Sequence, residues 1–221
     1  MGKKVNMIYR IISGRYETGT QKQRQGFDQL FGNKNIQFRF DLYFHWYNVI
    51  HELFHCLVSS RKISMNPVQE ELYANSFAVA YWKMADTNGN LQKLREMITE
   101  ALNQISSPVP PDMDFIAFFE SIWNSEAMQT VAMYGYFQLA CVLEAMKLEK
   151  GFWEVLDETG ISVVPTDTVQ KYDGEISSEH AQDVIDLCIA NLWNAGVVFE
   201  DFKIELELVD NPEVQCVRIG E

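Results

Sequence analysis

The sequence has no closely paired cysteines, and their absence excludes two kinds of protein. Four histidines and four cysteines occur among 221 residues. The cysteines are widely spaced and form no Cys-x-x-Cys pair, so neither a disulfide framework nor a cysteine-rich metal cluster is expected. We therefore predict a reduced, cytoplasmic protein.

The shortage of positive charge argues against two kinds of partner. The chain has 18 basic and 31 acidic residues, which gives a formal net charge of −13. Nucleic acids and anionic membranes both attract basic surfaces, so we expect neither as a partner. No run of 18 apolar residues occurs, and the first ten residues lack the apolar segment of a signal peptide. The sequence predicts no membrane span and no signal peptide.

The spacing of apolar residues predicts a mainly helical α+β protein. Residues 36–42 alternate between apolar and polar, which is typical of a half-buried strand. Because aromatic-rich segments are ambiguous, an unbroken helix from Phe38 to Ser59 is the alternative. Residues 203–219 alternate around a turn at 210–213 and predict a β-hairpin. The predicted helices lie at about 44–59, 66–85, 91–105, 112–123, 126–149, 152–158 and 177–194.

The clearest break in the chain is the segment 106–111, which reads Ser-Ser-Pro-Val-Pro-Pro. We take it as the boundary between a part at 1–105 and a part at 106–221. The second part consists of helices followed by the predicted hairpin. We expect the two parts to pack together as one domain.

Residues 51–55 read His-Glu-Leu-Phe-His, and this segment specifies a chemistry. On a helix, His51 and His55 lie one turn apart and about 40° apart around the axis, so both imidazoles can reach one metal ion. Glu52 lies about 100° from His51, where it can contact a water molecule without ligating the metal. This is the H-E-x-x-H arrangement of zinc hydrolases. His45 and Cys56 fall on other faces of the helix and are not expected to bind the metal.

A catalytic zinc site needs a third protein ligand. The segment 69–78 lies on the next predicted helix, and an antiparallel return places its first turns beside the motif helix. It offers Glu70 and Glu71, whose side chains point about 100° apart, so only one of them can face the histidines. A carboxylate with two imidazoles is a donor set that suits Zn²⁺.

The two motifs together, H-E-x-x-H at 51–55 and E-x-x-A-N-x-F-A at 71–78, resemble the ImmA/IrrE family of zinc metallopeptidases, which belong to the gluzincins. The resemblance covers about residues 36–84. It implies that Glu71 is the third metal ligand and that Asn75 supports a ligand histidine. It also implies a zincin-like core at 1–105 with a small antiparallel sheet, and Zn²⁺ as the cofactor. By the same resemblance, the protein is a regulatory protease that cleaves one protein partner, such as a transcriptional repressor.

Alternatives to a peptidase stay open. The chain could keep a metal in a zincin-like domain and act by binding, with the helices at 112–195 as the recognition surface. It could also hold no metal, with His51 and His55 as ordinary helix residues. Hydrolysis needs a group that stabilises the oxyanion. Spacing does not select among the candidates for that group, which are Tyr73, Tyr134, Tyr136 and His180.

The strand predicted at 36–42 also predicts how a substrate binds. It would be an edge strand beside the helix of His51 and His55. An extended peptide can bind to such an edge by adding as a further strand.

Overall fold

The computed structural model describes residues 7–199 and 202–220, which form a mainly helical α+β structure. Residues 1–6 lie outside the described part. The prediction of no signal peptide rests on the first ten residues and so falls largely outside it. None of the described helices is long and apolar enough to cross a membrane. The strands are β1 (Met7–Gly14), β2 (Phe202–Val209) and β3 (Gln215–Gly220). The helices are α1 (Gln21–Phe31), α2 (Ile36–Asp41), α3 (Val49–Ser60), α4 (Pro67–Ala85), α5 (Asn90–Leu102), α6 (Phe115–Ile122), α7 (Val131–Lys147), α8 (Phe152–Glu158) and α9 (Ala181–Asn194).

A three-stranded mixed sheet joins the two ends of the described chain. Strand β1 lies in the centre, where it pairs in parallel with β2 and antiparallel with β3. The predicted hairpin is therefore wrong in its pairing, and the sheet is not purely antiparallel. Both predicted strands exist, but β1 lies between them. Tyr9 and Ile11 of β1 are buried, and a hairpin of β2 and β3 alone would be at best marginally stable.

Gly14 ends β1 against the turn that connects β2 and β3. Its backbone N–H donates to the carbonyl of Val214 at 2.9 Å. A Cβ atom at this position would overlap the carbonyl oxygen of Asn211 and lie 2.6 Å from Cα of Pro212. The close approach of two backbone segments therefore requires glycine here.

We expect Gly14→Ala to lower the free energy of unfolding by about 2 kcal/mol or more, because the turn must move to admit a methyl group. Gly26→Ala is the matched control, since Gly26 lies in α1 with open space around its Cβ position. That change should leave stability unchanged or raise it by up to about 1 kcal/mol. Denaturant unfolding measures both effects. Equal stability of Gly14→Ala and the wild type would contradict this account of the turn.

Residues 36–60 form one continuous helical run. Helix α2 leads through a π-helical segment, Leu42–Asn48, directly into α3. The strand predicted at 36–42 is wrong, and the unbroken helix is what the structure shows. Extended-peptide binding along that strand is withdrawn with it.

Contacts between residues four apart explain why this segment is helical. The rings of Phe40 and Phe44 have centroids 4.4 Å apart, and Nδ1 of His45 lies 2.6 Å from Oδ1 of Asp41. A helix brings such pairs together, whereas a strand separates them. His45 is buried and also bonds the carbonyl of Gly14 at 3.1 Å. It therefore anchors the helical run to β1, away from the candidate metal ligands.

Helices α3 and α4 pack antiparallel to each other and form the centre of the core. Trp46, before α3, stacks on Trp82 near the end of α4 with centroids 3.8 Å apart. At the other end of the pair, His55 contacts Glu70 in the first turn of α4. As predicted, α4 starts after Asn66, whose Oδ1 accepts from the N–H of Val68 at 2.9 Å. The antiparallel packing places the first turns of α4 beside the His-Glu-Leu-Phe-His motif.

Candidate metal centre

The side chains of His51, His55 and Glu71 bring three possible donor atoms together. The Nε2 atoms of the two histidines lie 3.1 Å apart. Oε2 of Glu71 lies 3.2 Å from Nε2 of His51 and 3.8 Å from Nε2 of His55. In a tetrahedral site with bonds of about 2.0–2.1 Å, two ligand atoms lie about 3.3 Å apart. The three residues can therefore hold a metal ion.

Opposite charges stabilise this group when no metal is bound. Burial alone would raise the pKa of Glu71, but hydrogen bonds to His51 and His55 and their charges hold it well below its usual value. Burial likewise opposes the charged form of His55. Hydrogen bonds to Glu70 and Glu71 outweigh this effect and raise the pKa of His55 to about 10. A metal cation at the same place would supply positive charge to the same carboxylate.

Glu70 contacts the ring nitrogen of His55 that points away from the other donors, and it does not belong to the group of three donors. Its Oε1 is 2.8 Å from Nδ1 of His55. An imidazole that donates from Nδ1 to a carboxylate keeps the lone pair of Nε2 for a metal. The sequence left Glu70 and Glu71 as rival ligands. In the structure, Glu71 faces both histidines and Glu70 orients one of them.

Asn75 makes different contacts from those that the family resemblance implies. It is buried, its Nδ2 donates to the backbone carbonyl of Glu71 at 2.8 Å, and its Oδ1 accepts from Tyr47 Oη at 2.9 Å. Within the described residues, no hydrogen bond connects Asn75 with either His51 or His55. Asn75 therefore contacts the group of three donors only through the backbone of Glu71.

Two residues of α7 hold the carboxylate of Glu71 from the opposite side. Nε2 of Gln138 donates to Oε2 at 2.7 Å, and Oη of Tyr134 donates to Oε1 at 3.2 Å. The sequence offers Tyr134 only as one of several oxyanion candidates, and it does not single out Gln138 for any role. The sole signal in the sequence is their spacing of four on a predicted helix, which does not show what that helix packs against.

An open cleft of roughly 300 Å³ lies in front of the donor group. Its lining residues include Glu52, His55, Glu71, Trp123, Tyr134 and residues 215–217 of β3. Glu52 lies at this cleft but outside the group of three donors, as the motif predicts. Its Oε1 accepts from Nδ2 of Asn48 at 3.2 Å. Of the oxyanion candidates, Tyr134 lines the cleft, whereas Tyr73 lines a separate groove.

Compared with models of known protein families, with curated proteins and with solved structures, the chain matches none. Fold and site define its class at a coarse level. It is a mainly helical α+β protein with a His-His-Glu group that can hold a metal ion.

Proposed function

We propose that the protein is a zinc metallopeptidase with a zincin-like core, similar to the ImmA/IrrE family. The strongest support is a single arrangement at the floor of the cleft, where His55 and Glu71 line it and His51 lies buried beside them. His51, His55 and Glu71 converge on one point, and Glu52 lies beside them without joining the donor set. Two imidazoles and one carboxylate are a borderline hard and soft mixture that favours Zn²⁺.

In this proposal the three converging side chains hold the ion, and Glu52 moves the protons. Bound there, Zn²⁺ lowers the pKa of a water molecule and polarises a peptide carbonyl. Glu52 accepts a proton from the attacking water and passes it to the amine that leaves when the C–N bond breaks. Asn48 holds Oε1 of Glu52. The second carboxylate oxygen is thereby kept for the water.

Tyr134 is suited to stabilise the oxyanion that forms on the substrate. Burial and the charges of Glu71 and Glu52 raise its pKa well above the usual value, so the hydroxyl keeps its proton. Its bond to Glu71 is long at 3.2 Å, and the residue lines the open cleft. The hydroxyl can exchange this bond for one to a substrate oxygen at low cost.

Strand β3 is the edge that an extended substrate can use. It lies at one side of the sheet, and its residues 215–217 form a wall of the cleft. A peptide segment can pair with the backbone groups of such an edge. The proposed substrate is a segment of a protein partner such as a transcriptional repressor, with no nucleic-acid or membrane partner. A cytoplasmic location belongs to the same proposal, supported by four free thiols.

One observation favours the alternative of a zincin-like domain that acts by binding alone. The segment predicted as the substrate-binding edge, 36–42, is helical. The two functions differ in whether Glu52 is needed for a reaction, so Glu52→Gln distinguishes them.

Metal content tests the proposal first. We expect about one Zn²⁺ per chain, because the described residues bring together one His-His-Glu group. Emission spectrometry on protein purified without chelator or metal-affinity tag measures it. His51→Ala should lose the metal, whereas His180→Ala should keep it, since His180 bonds Ser177 outside the cleft. Wild-type protein without stoichiometric metal would contradict the proposed function.

A further inference from the structure

The rotation of the Glu71 carboxylate is set by α7 and not by its own helix. Gln138 holds Oε2, the oxygen that faces the two histidines, and Tyr134 holds Oε1. Nε2 of Gln138 also lies 2.8 Å from Oη of Tyr134, so the three side chains form a closed ring of hydrogen bonds. The shorter of the two bonds, from Gln138 to Oε2 at 2.7 Å, fixes the rotation of the carboxylate and leaves one lone pair of Oε2 directed at the histidines.

A chain of buried polar groups determines which end of the Gln138 amide faces Glu71. Tyr47 donates to Oδ1 of Asn75, so Nδ2 of Asn75 is left as the donor, with a bond to the backbone carbonyl of Glu71 at 2.8 Å and Gln138 of α7 on its other side. That Nδ2 lies 3.5 Å from Oε1 of Gln138, which leaves the amide nitrogen of Gln138 to face Glu71. Tyr47, Asn75 and Gln138 are 0%, 1% and 9% exposed, so bulk water cannot easily replace a lost partner. Reversing one amide would set acceptor against acceptor, which is costly in a buried site.

We propose that Gln138 is a positioning residue for the third metal ligand, and that Tyr47 and Asn75 orient it. The inference rests on the proposed metal site and extends it. Gln138 donates to Oε2 of Glu71, so the carboxylate stays turned towards His51 and His55. Asn75 then supports the metal through Gln138 and through the backbone of Glu71, whereas the family resemblance implies that it supports a histidine directly.

Zinc affinity is the quantity that this role controls. Partners that orient a metal ligand typically change metal affinity by about 10–100-fold when they are removed. Gln138→Met keeps the length of the side chain and removes the amide. We expect it to weaken zinc binding by about 10–100-fold in a competition titration with a chromophoric chelator.

Asn191→Leu is the matched control for the loss of a buried amide. Asn191 lies on α9, is 1% exposed and pairs with the backbone of Gln170. It does not line the cleft. This variant should lower the thermal unfolding temperature and leave zinc affinity unchanged. A merely structural role for Gln138 would give the same result as this control.

Asn75→Asp tests the orientation of the amide without changing Gln138. The introduced carboxylate has two acceptor oxygens, so one of them faces Gln138 and turns its amide nitrogen away from Glu71. We expect zinc affinity to fall at least as far as in Gln138→Met, because the carboxylate also faces the backbone carbonyl of Glu71, to which Nδ2 of Asn75 donates at 2.8 Å. Co²⁺ bound in place of zinc should show an altered visible spectrum in both variants and an unaltered one in Asn191→Leu.

The outcomes separate this inference from the proposed function. If the wild type binds zinc, and Gln138→Met and Asn75→Asp bind it equally tightly, the positioning role is overturned and the metal site stands. If the wild type binds no zinc, both are overturned. Thermal unfolding of the metal-free variants tests whether each one is folded. If Gln138→Met is not folded, the result for Asn75→Asp decides.

Discussion

Glu71→Ala is expected to lower zinc affinity far more than Glu70→Ala does. Glu71 places Oε2 3.2 Å from His51 Nε2, so its removal would delete one of the three proposed ligands. Glu70→Ala should cost only about 10–100-fold, because Glu70 orients His55 without being among the donor atoms. Competition titration against a chelator measures both.

Glu100→Ala serves as the control for removing a carboxylate. Glu100 is an exposed residue that pairs with Arg39, and it does not line the cleft. Its replacement should leave zinc affinity at the wild-type value. If Glu70→Ala proved more damaging than Glu71→Ala, the ligand would be Glu70 and the assignment from the geometry would fail.

Glu52→Gln is expected to keep the zinc and to reduce hydrolysis by about 10²–10⁴-fold. The amide oxygen of the new side chain can still accept from Asn48, so the local packing is preserved. Its NH₂ group cannot take a proton from water, so the general base is lost. Zinc-loaded wild type and variant should be incubated with a mixture of unstructured peptides, and new termini counted by mass spectrometry.

The two candidate functions give opposite results in that experiment. A peptidase cleaves some peptides as wild type and almost none as Glu52→Gln. A binding module leaves all peptides intact in both forms, with zinc bound. Equal cleavage by the two proteins would show that Glu52 is not the base.

The sequence predicted the parts of the site that depend on a single helix. Residues His51, Glu52 and His55 share one helix, so helical geometry alone gives their relative positions. The candidates for the third ligand could be narrowed to Glu70 and Glu71, because the following helix returns antiparallel to the motif helix. Gln138 lies much further along the chain, and its approach to Glu71 depends on how α7 packs, which local patterns do not encode.

The errors in the fold have a similar cause. The alternation at 36–42 satisfies the pattern of a strand, but the contacts of Phe40 with Phe44 and of Asp41 with His45 stabilise a helix. Residues 203–219 look like a hairpin because the turn and both strands are local. The pairing was wrong because β1, from the opposite end of the sequence, inserts between the two strands.

The central position of β1 has a consequence for the chain during its synthesis. Partners such as Ile8 and Lys203 lie far apart in the sequence, so β1 leaves the ribosome long before any strand exists to pair with it. Contacts of such long range form slowly, and an unpaired apolar strand can associate with other chains in the meantime. Until β3 is made, the cleft also lacks the wall at residues 215–217. A nascent chain in which α3 and α4 have already packed together would therefore still lack a completed cleft.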